Sequence, residues 1–164
     1  MACSILCSVL VVVTAVVIIG TARAGSSSGD HLTAGFTRVS LPESKFVVQK
    51  PYNVPLDARY EFAGGVRRMW AYSTDKPMSA THHDLRRVLA GGVYDRWLRL
   101  NVVHDVGARN VTVFVDGAEV LRSRSHGAPG APHYFKFGVY KQSHHHPSDR
   151  MESRWRNVRV FTKH

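Results

Sequence analysis

The 164 residues include 22 Lys and Arg against 12 Asp and Glu, a formal net charge of +10, with 44% hydrophobic and 10% aromatic residues. This balance excludes a disordered tail, predicts one folded domain and calls for an anionic partner. The basic residues are dispersed rather than massed and carry no nucleic-acid motif, so nucleic acid is not the expected partner. At the N-terminus an apolar run reaches Gly20 and exits through Ala22-Arg23-Ala24, the pattern of a secretory signal peptide cleaved after Ala24. The run is shorter than the roughly 20 apolar residues a bilayer span needs, so no stable membrane anchor is expected after cleavage. Cleavage would remove Cys3 and Cys7, which excludes disulfide scaffolds, thiolate zinc sites and cysteine nucleophiles. Residues 25–34 read as a flexible linker and 35–164 as the folded domain.

From Leu41 onward the pattern is β-structure: short stretches of Val, Tyr, Phe and Trp closed by Gly, Asp, Asn or Pro. Phe46 to Gln49 is a short strand candidate. Val66 to Ser73 is another, with Val66, Arg68, Trp70 and Tyr72 on one face and Met69 and Ala71 on the other. Residues 77–92 fit neither a strand nor a helix cleanly. Tyr94 to Val106 reads as a longer strand, with Leu98, Leu100 and Val102 alternating against Trp97, Arg99 and Asn101. Asn110 to Val115 and Ala118 to Arg124 flank Asp116-Gly117, which tolerates the positive φ angles of a tight hairpin. Tyr134 to Gln142 and Arg154 to Phe161 complete the series. Strands this frequent, without helices between them, predict an all-β antiparallel sandwich of the jelly-roll kind.

The segment Tyr134-Phe135-Lys136-Phe137-Gly138-Val139-Tyr140-Lys141-Gln142 carries the most chemistry. Alternation sends Phe135, Phe137 and Val139 to one side and Tyr134, Lys136, Gly138, Tyr140 and Gln142 to the other. Two phenols, an ammonium and an amide suit a groove for anionic sugar rings or carboxylates; the same row also fits a solvated outer face. His144-His145-His146 reads as a solvated loop and not a metal site, since adjacent loop residues seldom converge on one ion. No cofactor is expected. His104-Asp105 fits turn capping. Asn110-Val111-Thr112 is an N-glycosylation sequon. Trp70, Trp97 and Trp155 are expected in the core, and Arg154, Arg156 and Arg159 as a basic stripe that alternates imperfectly.

YFKFGVYKQ at 134–142 resembles the C-terminal signature of the alginate lyase 2 family, jelly-roll (concanavalin-like) polysaccharide lyases whose motif is YFKAGxYxQ. GFTRVSL at 35–41, QKPYNVPLDARY at 49–60, GVRRMWAYSTDKP at 65–77, YDRWLRLNVVHDV at 94–106 and MESRWRNVRVF at 151–161 are similar to its plant, citrate-binding-protein-like branch. In the lyases a cationic or amide group neutralises the uronate carboxylate, a Tyr or His removes the ring proton, and a Tyr protonates the leaving oxygen in a β-elimination. The resemblance implies Tyr140 as the catalytic tyrosine of an active member, with Tyr134, Lys136 and Gln142 lining the ligand face. The family carries an RxExR and a QxH motif between the DKP and YDRW segments, and neither is present in that stretch here, Met78 to Val93. The chain therefore resembles a shortened member with a central deletion near 78–93.

These features predict a secreted or vacuolar protein, in the cell wall or outside the cell if not in the vacuole. It binds citrate, another polycarboxylate or an acidic polysaccharide and has lost catalysis. A residual lyase and a truncated product without independent function are the competing expectations. Loss of central strands is expected to leave open edges and to uncover Phe135 and Phe137.

Overall fold

The computed structural model describes residues 2–3, 10–17, 30–76, 88–124, 135–139 and 149–163. Among them run strands β1 (Ala2–Cys3), β2 (Leu10–Val17), β3 (Thr37–Val39), β4 (Phe46–Val47), β5 (Tyr60–Ala63), β6 (Val66–Tyr72), β7 (Leu98–Asp105), β8 (Asn110–Val115), β9 (Ala118–Arg124), β10 (Phe135–Lys136) and β11 (Arg150–Lys163). Short 3-10 turns occupy Asp30–Thr33 and Glu43–Lys45. The large sheet has the order β5-β6-β11-β2-β7-β8-β9, with β3 also paired to β11; the small sheet is β10-β1-β4. Every pairing is antiparallel, so the all-β antiparallel class expected from the sequence is the one formed.

The core lies where the two sheets meet. Met69 of β6 and Phe137, just after β10, are 4% and 5% exposed, and Phe46, Tyr60 and Trp155 pack against them. Along β6, Arg67, Met69 and Ala71 are buried while Val66, Arg68, Trp70 and Tyr72 are half-buried, the two faces expected from period-two geometry. β11 faces it with Met151 opposite Ala71 and Trp155 opposite Arg67. Farther along β11 the register on β2 shifts between Arg156 and Arg159, and Asn157 has φ 53°. This bulge adds one residue and restores the inward face, since Val158 packs on the core and Val160 is fully buried. It accounts for the imperfect alternation of Arg154, Arg156 and Arg159.

The β8–β9 hairpin has the bounds that the sequence predicts. Asp116 and Gly117 carry φ 52° and 90°, and Asp116 Oδ1 accepts a hydrogen bond from Arg99 N at 2.7 Å, tying the turn to the start of β7. A second hairpin, β5–β6, turns at Gly64-Gly65 with φ 56° and 75°; the reading of Val66–Ser73 missed its partner strand. β7 begins at Leu98 rather than Tyr94, because Asp95 (φ 55°) sits in a turn. Its leucines are half-buried and Asn101 is 1% exposed. The most buried residue of the strand is thus on the parity opposite the leucines, so the leucine row does not mark the inner side. Residues 77–87 lie outside the described residues.

β2 belongs to the apolar run expected to leave as a signal peptide. In the whole 164-residue chain it pairs on both edges, Val13 meeting Val160 of β11 on one side and Val102 of β7 on the other. β1 likewise joins β10 to β4. These pairings close edges that the shortened middle was expected to leave open. The expectation that Phe135 and Phe137 would be uncovered fails as well: Phe137 is buried against Met69, Phe46 and Trp155, and Phe135 is half-buried.

Candidate functional site

The candidate site is built on the segment from Phe135 to Val139. Its apolar residues dock it: the Phe137 ring stands 4.9 Å from Trp155, 6.1 Å from Phe135 and 6.2 Å, edge-on, from Phe46. Lys136 lies between the two phenylalanines on the opposite side and is exposed. The inward and outward sides inferred from the sequence therefore hold over this stretch, although regular strand pairing covers only Phe135–Lys136. Tyr134, Tyr140 and Gln142, the other predicted ligand groups, lie outside the described residues, as do His144, His145 and His146. Among the described residues no group of three His, Cys, Asp or Glu could hold a metal ion.

The floor beneath this segment is charged, which the sequence reading did not anticipate. Arg67, 7% exposed, points inward, with its guanidinium 3.8 Å from the Phe46 ring centre and 4.4 Å from that of Phe62. It forms an ion pair with Glu43. The Tyr60 hydroxyl donates to Glu43 Oε1 at 3.1 Å, and burial, followed by the charge of Glu43, pushes the Tyr60 phenol up to about 12. The pairing allows a guanidinium to stay buried against aromatic rings.

A second ion pair, more deeply buried, links two stretches of the resemblance. Asp75, from STDKP, is 4% exposed and accepts from Arg59 Nε at 2.8 Å and Nη2 at 2.5 Å, Arg59 coming from LDARY. Asp75 also accepts from Tyr72 N at 2.8 Å, and its hydrogen bond raises the Arg59 pKa above the ordinary value. These residues shape the turn after β6 and are structural. The sequence signal was present in both motifs, but their separation hid the contact.

The outer face of the large sheet gathers further cations. Glu152 accepts from Arg68 Nε at 2.7 Å, Arg154 Nε at 2.8 Å and Arg150 Nη2 at 2.7 Å. Hydrogen bonds from Arg68 and then Arg154 hold its carboxyl down to about 2 against the opposing effect of burial. Trp70 lies on this face with the Arg68 and Arg150 guanidiniums 5.6 and 5.7 Å from its ring centre. Trp97 has Arg156 at 4.3 Å. Of the three tryptophans expected in the core, Trp155 alone packs against the inner cluster, because Trp70 falls on the outward parity of β6 and Trp97 precedes β7 in a turn. Asp105 Oδ1 accepts from Ala108 N at 2.8 Å, the turn-capping role expected of it. Asn110 opens β8 half-buried, paired in register with Asp105 and Arg124.

Two packed antiparallel sheets, with one strand segment turning a lysine outward over an aromatic core, define a β-sandwich domain. The chain belongs to the alginate lyase family, whose profile matches residues 67–162. It is similar to the citrate-binding protein of Hevea brasiliensis, at 32% identity over 189 aligned positions covering 79% of this chain and 78% of that protein. Since 79% of 164 residues is about 130, about 60 of the 189 aligned positions have no residue here. No solved structure matches the chain.

Proposed function

We propose that this protein is a non-catalytic binding member of the alginate lyase family that takes a polycarboxylate or acidic polysaccharide on the Lys136 side of the 134–142 segment. One observation carries the reading: Phe137 is buried while its neighbour Lys136 is exposed, so the motif's lysine faces away from the core. By period-two spacing in the sequence, Tyr134, Tyr140 and Gln142 are the further groups assigned to this ligand face. The formal charge of +10 favours an anion over a neutral sugar, and the relative named for citrate binding supports the carboxylate choice.

Loss of catalysis follows from the lack of the RxExR and QxH motifs in the 78–93 stretch, where the family carries them, since removing one member of a cooperating set typically costs several orders of magnitude in rate. The aligned positions without a counterpart here agree with a shortened middle. Entry into the secretory pathway, cleavage after Ala24 and glycosylation at Asn110 belong to the same proposal.

Titration calorimetry with citrate and with oligouronates tests it. Binding is expected, and Lys136→Gln should weaken it roughly tenfold by removing a charged hydrogen-bond donor. Folded protein that releases no heat with either ligand overturns the reading. The lyase alternative predicts ultraviolet-absorbing unsaturated products from polyuronate, lost in Tyr140→Phe; the binding reading predicts none.

A further inference from the structure

We propose that the outer face of β6 and β11 is a second polyanion surface, built for the acidic sugar rings of a polysaccharide, with Trp70 beside the ring and Arg68, Arg150 and Arg154 on its anionic group. The register makes the cluster. Arg68 lies opposite Arg154, Trp70 opposite Glu152 and Tyr72 opposite Arg150, all on the parity that points away from Met69, Ala71 and Met151. Like charges placed directly opposite in an antiparallel pair are destabilising, so two facing arginines need a reason. Within the sheet Glu152 supplies part of it, drawing three guanidiniums to one carboxylate.

Among the described residues, three cations converge on one anion and leave the face positive. Glu61, 3.8 Å from Arg68, offsets part of the excess at the rim, and the nearby Arg59 is already paired with Asp75. The arginine side chains stay 37%, 44% and 34% exposed, and each guanidinium has five donors, of which Arg154 gives Glu152 only Nε. A carboxylate or sulfate seated there relieves the repulsion and can be held by a planar two-donor fork. The indole of Trp70 beside the cluster selects a sugar polymer over an acidic peptide, because it gives the pyranose ring a flat apolar neighbour. This surface is independent of the Lys136 side: Phe137, Trp155 and Met69 lie between them, so the two occupy opposite exteriors of the sandwich.

The test is the salt concentration that elutes the full chain from immobilised polygalacturonate and, in parallel, from poly-glutamate. Glu152→Gln, which removes the only acid at the cluster's centre, should bind polygalacturonate about threefold tighter, and Arg150→Gln with Arg154→Gln about tenfold weaker. Trp70→Leu should weaken binding to polygalacturonate and leave poly-glutamate unchanged. Each variant is checked by thermal melting, and if Glu152→Gln does not fold, the double arginine variant decides. Unchanged elution of the folded double arginine variant overturns the proposal. Equal retention on both polymers with no effect of Trp70→Leu also overturns it, making the face a general acidic-polymer surface. Lys136→Gln should leave the Glu152→Gln and double-arginine shifts intact, so failure at one surface is distinguishable from failure at the other.

Discussion

Asp75 holds together two stretches of chain that lie far apart in sequence, gripping the Arg59 guanidinium with both oxygens and capping the Tyr72 amide. Asp75→Ala leaves a largely buried cation without its partner, and a loss of about 3 kcal/mol in unfolding free energy by urea titration is expected. Glu152 behaves differently with pH. Its folded pKa, about 2, lies below the ordinary carboxyl value of 4.5, so its contribution to stability is present above about 4.5 and is lost as pH falls through about 2. The stability gap between the parent chain and Glu152→Gln, measured by urea midpoint, should therefore be larger at pH 6 than at pH 2. Neither role was readable from sequence. Asp75 and Glu152 were visible as carboxylates, but burial and the convergence of three arginines depend on strand register, which alternation alone does not supply.

At the scale of the strand, local chemistry proved the better guide. Asp116-Gly117 specifies its own turn, and the flanking strands have the bounds read from the residues, since positive φ at two adjacent positions is a local requirement. Asp116→Ala should cost about 1 kcal/mol or more through a strained φ and the lost bond from Arg99 N, while Asp116→Asn, which tolerates the left-handed region, should cost less. The bulge at Asn157 was legible only as a flaw in the arginine pattern. Deleting Asn157 should force either Val158 and Val160 or the Arg150–Arg156 half onto the wrong side of the sheet, because a one-residue slip exchanges the faces. A large drop in melting temperature is the expected result. The site segment sits between these cases. Its inward residues were correctly assigned from period-two spacing, while the charged floor of Arg67, Glu43 and Tyr60 depends on long-range packing that no spacing announces.

For the molecule as a whole, the decisive element is β2, the bridge between the β5-β6-β11 and β7-β8-β9 portions of the large sheet. The full chain should melt cooperatively, and residues 25–164 alone should melt at a lower temperature by circular dichroism, having lost the strand that joins the halves. Equal melting temperatures would show that the halves do not need it. The sequence announced this segment only as an apolar run, and the same composition serves a cleavable leader and an interior strand equally well. One stretch of chain cannot be in two places. Its partner β11 lies far downstream, so β2 is synthesised well before the strand it pairs with, and the order of synthesis favours processing over insertion. A chain that kept this segment would hold both halves of the large sheet in one body, and a chain that lost it would leave β11 and β7 each with an open edge.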